Sequence, residues 1–403
     1  MLCLAAVQNF HIAIRAVKSI VAILGFLFIS ATLPAQDSVR QSRLSLNGYV
    51  SDMPGLMLNS VTDASEFSNQ FHNRLNFRWE PNTTISAALE IRNRFYYNWS
   101  TVYPANYLRG FEKDAGLIGM SKNLFEGDNY VFNISVDRLW VDLNRNKWQV
   151  TLGRQRINWG QAFVWNPNDI FNTYNYLDFD YVEKPGSDAL RIQYYPSETS
   201  KAELALAFDS IGNPTLAGLY RFNRWNYDFQ VLSGYTAMDD FVLGAGWAGQ
   251  VAKGGFRGEV SCFMPSGKSV QSKTTLTASA GWDYMFGNSL FLQLECLYNG
   301  TDPDSSWLAV YEISNFKLSA KNPFLSGFSY FASAGYPVTP LFNGSVAMIL
   351  NPENKVYILV PTLDYNLARN FDLSFIAQII GIENQPEDMA FIHMLFLRLK
   401  YSF

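Results

Sequence analysis

Residues 391–403 read FIHMLFLRLKYSF, and apolar side chains occupy every second position over most of this stretch. The apolar parity holds Leu395, Leu397, Leu399, Tyr401 and Phe403, and the other parity holds Arg398, Lys400 and Ser402. Because successive side chains of a β-strand point to opposite faces, a period of two predicts a strand with one apolar and one polar face.

The stretch ends on two aromatic residues, Tyr401 and Phe403, separated by one residue. A final strand with this ending resembles the targeting signal that the outer-membrane barrel assembly machinery reads. The resemblance implies that Tyr401 and Phe403 form an assembly signal and that this machinery is a partner. A soluble β-protein that ends in Tyr-Ser-Phe is the alternative.

The same alternation recurs upstream, for example in the runs that begin at Thr84, Leu290 and Phe371. Aromatic residues make up 16% of the chain. Beyond the N-terminus, no window approaches the roughly 18 consecutive apolar residues that a membrane helix needs. These features favour a β-rich chain, either a soluble sandwich or a membrane barrel.

The connections between the runs distinguish these two folds. Short turns alternate with longer loops around 53–71, 97–130, 158–186, 265–273 and 300–324. Tight turns at one end and long loops at the other are typical of a transmembrane barrel. We predict an all-β, antiparallel barrel of 18 strands, with 16 and 14 as alternatives, formed by one domain over residues 36–403. Its expected location is the cell outer membrane, in contact with lipid.

Residues 1–35 have the pattern of a cleaved secretory signal peptide. Arg15 and Lys18 supply basic charge before the apolar run at 20–33, and the small residue Ala35 precedes the expected cleavage site. No cysteine follows the apolar run, which argues against a lipid-anchored protein.

Several classes of chemistry are disfavoured. A formal net charge of −4 gives no reason to expect nucleic acid as a partner. The only cysteines and histidines after the predicted signal peptide are Cys262, Cys296, His72 and His393. They are too few to form a metal-ligand motif, and the sequence implies no cofactor. The two cysteines fall on alternate strands and on the apolar parity, so we expect them to face lipid unpaired.

Opposite the apolar parity, the early strands carry charge. Their inward positions are Asn76, Arg78, Glu80, Glu90, Arg92, Arg94, Arg138 and Asp142. Buried charges persist only when they are paired or hydrated. We therefore predict a pore wall of Arg78, Glu90, Arg92, Arg94 and Arg138 around a water-filled channel, since barrels of this size are wide enough for one. Mutual neutralisation that only stiffens the wall is the alternative.

The segment 158–186 interrupts the alternation and contains eight aromatic residues. It follows the fifth predicted strand and is therefore the third external loop. Exposed to water, it would form an apolar patch of a kind that proteins avoid without a partner. By position and length it resembles the third loop of general porins, which implies that it folds into the barrel and narrows the pore.

Candidate constriction residues in this loop are Trp159, Trp165, Asp169, Asp178, Asp180 and Glu183. The acids could face the wall arginines and create a transverse field that favours small zwitterionic or polar solutes. Pairing with Arg154 and Arg156, which would only pin the loop, is the alternative. The two tryptophans could stack on sugar faces or simply pack the loop against the wall. Arg154 shares the parity of Leu152, so a bulge is expected there.

The segment also carries a family resemblance. Gly153-Arg154-Gln155, Trp159-Gly160 and Asn166-Pro167 with Asp169 resemble the GRQ…WG…NP-x-D signature of uncharacterised Gram-negative outer-membrane barrels, particularly those of Bacteroidetes. The likeness to substrate-selective porins is looser. The resemblance implies a porin-like barrel but no particular substrate. Together with the charged wall and the loop, it leads us to expect a porin-like channel for passive diffusion of small polar solutes.

Two other functions stay open. One is a structural or adhesin-type barrel without transport. The other is an enzyme of the outer-membrane phospholipase type, which needs a serine beside a histidine. His393 lies on the apolar parity, but the neighbouring positions offer no serine, so we expect no catalysis. Whether three copies assemble as a homotrimer is also left open.

Overall fold

The structure, a computed structural model, describes residues 43–59, 64–99, 108–173, 176–178, 183–267, 273–301, 318–385 and 388–403. The predicted signal peptide, residues 1–35, and Asp180 of the predicted constriction lie outside the described residues. Among the residues described, no helix is long and apolar enough to cross a membrane.

The described residues form almost entirely β-structure, with one short 3-10 helix at Leu108–Glu112. The strands are β1 Leu44–Asn59, β2 Ala64–Trp79, β3 Ile85–Trp99, β4 Ser121–Glu126, β5 Tyr130–Arg145, β6 Trp148–Gln155, β7 Ser187–Ser197, β8 Ser200–Phe208, β9 Pro214–Arg224, β10 Tyr227–Tyr235, β11 Asp240–Val251, β12 Gly254–Pro265, β13 Thr275–Met285, β14 Phe291–Asn299, β15 Gly327–Thr339, β16 Phe342–Asn351, β17 Val356–Ala368, β18 Phe371–Gln385 and β19 Asp388–Ser402.

All of these strands except β4 form a closed antiparallel barrel. Each wall strand pairs with the wall strands before and after it in the chain, and β19 closes the ring on β1, from Tyr49 opposite Ser402 to Asn59 opposite Ile392. The ring has 18 strands, which confirms the predicted count.

One end of the barrel, here called the turn end, carries the short connections, such as 146–147, 225–226 and 252–253. The other, the loop end, carries the long ones. In outer-membrane barrels the turns face the periplasm and the loops face outward. The predicted loop at 53–71 is wrong, because most of this stretch is strand: β1 ends only at Asn59, and β2 begins at Ala64. Pro54 and Gly55 resemble turn residues but lie within β1.

The two faces of the wall differ in polarity. Outward positions carry exposed apolar side chains, for example Leu44 and Leu152, at 59% and 62% exposure. Many inward positions carry buried polar groups. Cys262 on β12 and Cys296 on β14 are separated by β13 and are both free, as predicted.

Strand β4 extends the wall beside β6. Ser135 of β5 pairs with Arg92 of β3 on one edge and with Ser121 of β4 on the other, so β4 lies on the edge that β6 uses nearer the turn end. Beyond β4, Gly116 forms an isolated bridge with Asp209 after β8. The connection 108–126 therefore occupies the wall position that β6 leaves free when it ends at Gln155.

A β-bulge on β5 changes which side chains point inward. Glu90 pairs with Arg138 and Ile91 pairs with Val136, so Asp137 is the extra residue. Both Asp137 and Arg138 are consequently buried, although neighbours in a regular strand point to opposite faces.

Candidate functional site

The segment between β6 and β7, residues 156–186 and called here the β6–β7 segment, is held by carboxylates of distant wall strands. Glu259 on β12 is fully buried and accepts the backbone N–H of Ala162 at 2.8 Å and that of Asn168 at 2.9 Å. It also accepts the N–H of Gln161.

A second carboxylate, on a wall strand two places further along the chain, binds the same segment. Glu295 on β14 accepts the backbone N–H groups of Phe163, Val164 and Trp165 at 2.9, 3.1 and 2.8 Å. Each carboxylate thus satisfies three amides that no secondary structure would otherwise satisfy. Hydrogen bonds from amides to an ionised carboxylate are about twice as strong as bonds between neutral groups.

Asn168 fixes the tip of the segment to β11 and β12. Its side-chain N–H donates to the Ala245 carbonyl at 2.9 Å, and its Oδ1 accepts from the Ser261 hydroxyl at 2.7 Å. Gly244 makes the approach possible, because a Cβ there would lie 2.6 Å from Asn168 Oδ1. Asn166 and Pro167 form the adjoining turn, in which the Asp169 N–H donates to the Asn166 carbonyl at 3.0 Å.

The two predicted tryptophans are packing residues rather than exposed surfaces. Trp159 is fully buried, donates its indole N–H to Glu203 on β8 at 2.5 Å, and meets the Phe171 ring edge-on at 4.9 Å. Trp165 is 3% exposed and packs against Phe324 and Phe331. Both tryptophans thus pack the segment against the wall, which is the alternative to stacking on a solute.

Trp165 belongs to an apolar core between the β6–β7 segment and β14–β19. Its buried members are Val164, Trp165, Leu297, Phe331, Ala347, Ile349, Val356, Ile358, Ile380, Ile382 and Ile392. Sequence reasoning missed this core because the inward parity was sampled only on β2, β3 and β5. At the loop end of β18, both parities carry isoleucine, so alternation is weak where Ile380 and Ile382 point inward.

Asp169 was predicted to face the wall arginines, but the structure places it elsewhere. It is 3% exposed and accepts the Trp159 backbone N–H at 3.3 Å. Burial raises the pKa of Asp169 to about 7, against the opposing effects of that hydrogen bond and of Arg156 and Lys184. Asp178 is exposed, and Glu183 lies 3.9 Å from Arg74.

Charged side chains do gather on β2, β3 and β5, but their centre is a residue absent from the predicted set. Arg74 is 1% exposed and pairs with Asp137 at 2.5 Å and with Glu90. Arg92 pairs with the same Asp137 at 3.2 Å. Arg74 shares the inward parity of Arg78 and could have been found by counting. Asp137 shares the parity of the buried Ser135, whereas the predicted inward positions Arg138 and Asp142 have the other parity, and the bulge lets both parities of β5 point inward.

The other predicted wall residues have different partners. Arg138 donates to the carbonyls of Glu183 and Lys184 at 3.0 and 2.7 Å and so holds the return of the β6–β7 segment. Arg94 donates to Asn133 at 3.3 Å and lies over the Phe111 ring. Arg78 is no member of this cluster, because it is exposed at the turn end and pairs with Glu80 at 2.7 Å.

Arg154 on β6 binds both β7 and the connection 108–126. Its guanidinium pairs with Asp188 and Asp114, both at 2.7 Å, and donates to the Ile118 carbonyl. Burial opposes ionisation of Asp114, but hydrogen bonds from Arg154 and two backbone amides hold its pKa below the ordinary value. The expected bulge at Arg154 is wrong, because β6 pairs without a register shift. Residues 114–118 cover this outward position instead.

The C-terminal aromatic residues lie where β19 closes the ring. The Tyr401 ring packs against Phe371 at 4.6 Å, and the backbone of Phe403 exchanges two 3.0 Å hydrogen bonds with Gly48 of β1. Their predicted role as an assembly signal stays a prediction.

Comparison with known proteins identifies the fold. No protein-family model and no curated protein matches the chain. Three crystal structures from Pseudomonas aeruginosa are similar: OccK5 (OpdH), with a TM-score of 0.56 at 9% identity; the outer membrane protein opdK, 0.54 at 11%; and OccK11 (OpdR), 0.53 at 9%. Each alignment covers 89% of this chain, with 98%, 98% and 96% of the respective partner. The chain thus has the fold of a closed 18-stranded outer-membrane porin barrel.

Proposed function

We propose that this protein is a porin-like channel for passive diffusion of small polar solutes across the outer membrane, narrowed by the β6–β7 segment. The supporting observation is the set of six backbone amides bound by Glu259 and Glu295. Both carboxylates lie on the parity opposite the outward side chains Val260 and Cys296. A segment that binds inward carboxylates on β12 and β14 lies in the lumen.

The outer-membrane location rests on the outward face. Exposed leucine, valine and aromatic side chains encircle the barrel, and such a surface is stable in lipid rather than in water. The porin fold found by comparison supports the same location.

The solute path follows the charged side of the lumen. Beside β14–β19 the space between wall and segment is filled by the apolar core. Beside β2, β3 and β5 the charged groups are partly open, with the side chains of Glu90 and Glu183 at 27% and 24% exposure. A path between these acids and the neighbouring arginines favours polar and zwitterionic solutes over apolar ones.

Planar-bilayer recording of the purified protein tests this function. We expect discrete conductance steps, and a shift of the reversal potential toward anion selectivity in Glu90→Gln and Glu183→Gln. Glu198→Gln, an exposed acid in a turn, is the matched control and should leave selectivity unchanged. A folded barrel without conductance steps would instead indicate a structural or adhesin-type protein.

We also propose that the protein is not an enzyme. His393 faces outward, with Leu58 and Ile379 as its cross-strand neighbours and the Phe391 ring stacked at 6.0 Å. Neither neighbour supplies the hydroxyl that a phospholipase-type site needs. Lipid hydrolysis assays should show no activity that is lost in His393→Ala.

A further inference from the structure

A polar band crosses the outward face of the barrel on β1, β2, β3 and β4. It consists of Asp52, Asn73, Asn93 and Lys122. Elsewhere in the described strands, outward positions away from the strand ends carry no acid, amide or lysine, with two exceptions. Asn69 of β2 lies beside the band, and Asp188 of β7 is paired with Arg154. The band is therefore a local exception to an otherwise apolar surface.

Strand register places these side chains on the same face. Val50 pairs with Asn73, Asn73 with Asn93, Asn93 with Ile134, and Ile134 with Lys122. Asp52 lies two residues along β1 from Val50 and so shares its face. At about 4.8 Å per strand, the row from β1 to β4 spans about 19 Å. Asp52 lies between the exposed Leu46 and Leu58 of β1, and Asn73 between the exposed Phe67 and Trp79 of β2, so the band interrupts the apolar outward face.

The hydrogen-bonding capacity of the band is only partly used. Asn93 donates to the Asn73 side-chain oxygen at 3.0 Å, and Asn73 donates to the Tyr49 carbonyl at 3.2 Å. The Asn93 oxygen and the Asp52 carboxylate have no partner within the described part of the chain. An unpaired acid in the hydrocarbon region is costly, so a partner that supplies donors is required.

The chemistry of the band selects its partner. Acyl chains offer no donors, and lipid headgroups do not reach the middle of the bilayer. A second copy of this chain offers matching groups, because the asparagine side chains both donate and accept. The band also carries an acid on β1 and an exposed lysine on β4. In a two-fold pair, Asp52 of each copy can meet Lys122 of the partner subunit.

We propose that the outward face of β1, β2, β3 and β4 is the interface through which two copies of this protein associate in the membrane, with Asp52, Asn73, Asn93 and Lys122 as its polar contacts. Interchain hydrogen bonds between polar side chains are a recognised source of association in lipid. The interface leaves the lumen untouched, so association and permeation are separable.

Site-specific photo-crosslinking in intact outer membranes tests the interface. A benzophenone amino acid replaces Val50, which borders the band, or Val260, an outward valine on β12 that serves as the matched control. We expect a product of twice the chain mass from position 50 but not from position 260. Peptide mapping should place the cross-link on β1–β4 of a second copy. Adducts with lipid alone, or with a different protein, would overturn the proposal.

Charge reversal tests the pairing of the two ends. Asp52→Lys and Lys122→Asp should each lower the cross-linked fraction at position 50 by about tenfold, and the double variant should restore it. The mobility shift of unheated protein on a gel reports whether each barrel is folded. Folded single variants that cross-link like the unaltered chain, or a folded double variant that stays uncoupled, would contradict the proposed contacts. Channel conductance should be unchanged in these variants, which separates a failure of the interface from a failure of the proposed channel.

Discussion

The Glu259 carboxylate accepts the backbone N–H of Asn168 at 2.9 Å, although the two residues are 91 positions apart in the chain. This bond connects the β6–β7 segment to β12, a wall strand much later in the chain. Together with Glu295 it binds residues 161–168, which form no strand or helix, to the barrel wall. Under the proposed function, a segment held in this way narrows the lumen.

Replacing these carboxylates should loosen the segment. A glutamine side chain keeps one accepting oxygen but places an N–H₂ against the remaining amide donors. We expect Glu259→Gln and Glu295→Gln each to destabilise the docked segment by about 1–3 kcal/mol. Faster hydrogen exchange of the amides at 161–168 and noisier single-channel current would show it.

The matched control for this experiment is Glu353→Gln. Glu353 also accepts a backbone amide, that of Phe328 at 3.1 Å, but lies in the β16–β17 connection away from the segment. Its replacement should leave exchange at 161–168 unchanged. Equal effects of all three substitutions would mean that the carboxylates on β12 and β14 have no special role in holding the segment.

Gly244 should tolerate no side chain while the segment is docked. A methyl group there would lie 2.6 Å from Asn168 Oδ1 and 2.8 Å from the Ser261 hydroxyl. We expect Gly244→Ala to cost about 1–3 kcal/mol through overpacking and to raise conductance by displacing the tip of the segment. Gly335→Ala, which meets only Ser345 at 3.8 Å, is the control and should behave like the unaltered protein.

Removing only Arg154 from the Arg154–Asp188 pair should lower the free energy of unfolding more than removing both residues. Arg154→Leu leaves two acids without their counter-charge, and we expect it to lower the free energy of unfolding by about 3–5 kcal/mol. The double variant Arg154→Leu, Asp188→Leu should recover part of this loss. Urea unfolding in lipid vesicles measures both.

An exposed pair supplies the comparison. Arg78→Leu removes the partner of Glu80 at the turn end, where solvent screens the charges, and should cost only about 0–1 kcal/mol. An Arg154→Leu effect as small as this would mean that residues 114–118 do not cover a buried ion pair.

The pKa of about 7 for Asp169 predicts a pH dependence. Between the ordinary aspartate pKa and about 7, the folded state holds a proton at Asp169 that the unfolded state has released. The stability of the segment should therefore fall as pH rises through this window and level off above it. Asp169→Asn should remove the part of this slope that Asp169 contributes, while keeping an acceptor for the Trp159 N–H. Hydrogen exchange at 161–168 across the window measures the slope, and Asp178→Asn, an exposed acid, should retain it.

Much of the fold was open to prediction because alternation is a local property. The period-two runs indicated 18 strands, the two chemically distinct faces, the unpaired cysteines and the irregular segment after the fifth wall strand. The grouping of arginines on β2, β3 and β5 followed from the same parity, although Arg74 was overlooked.

What the sequence by itself determined is thus the strand pattern, since each residue's face depends only on its neighbours. The tertiary structure alone decided which positions break the pattern. Asp137 and Arg138 both point inward because β5 carries a bulge, and Arg154 is buried because residues 114–118 lie over it. Glu259 and Glu295 hold the segment because ring closure brings β12 and β14 beside amides that local sequence leaves without partners.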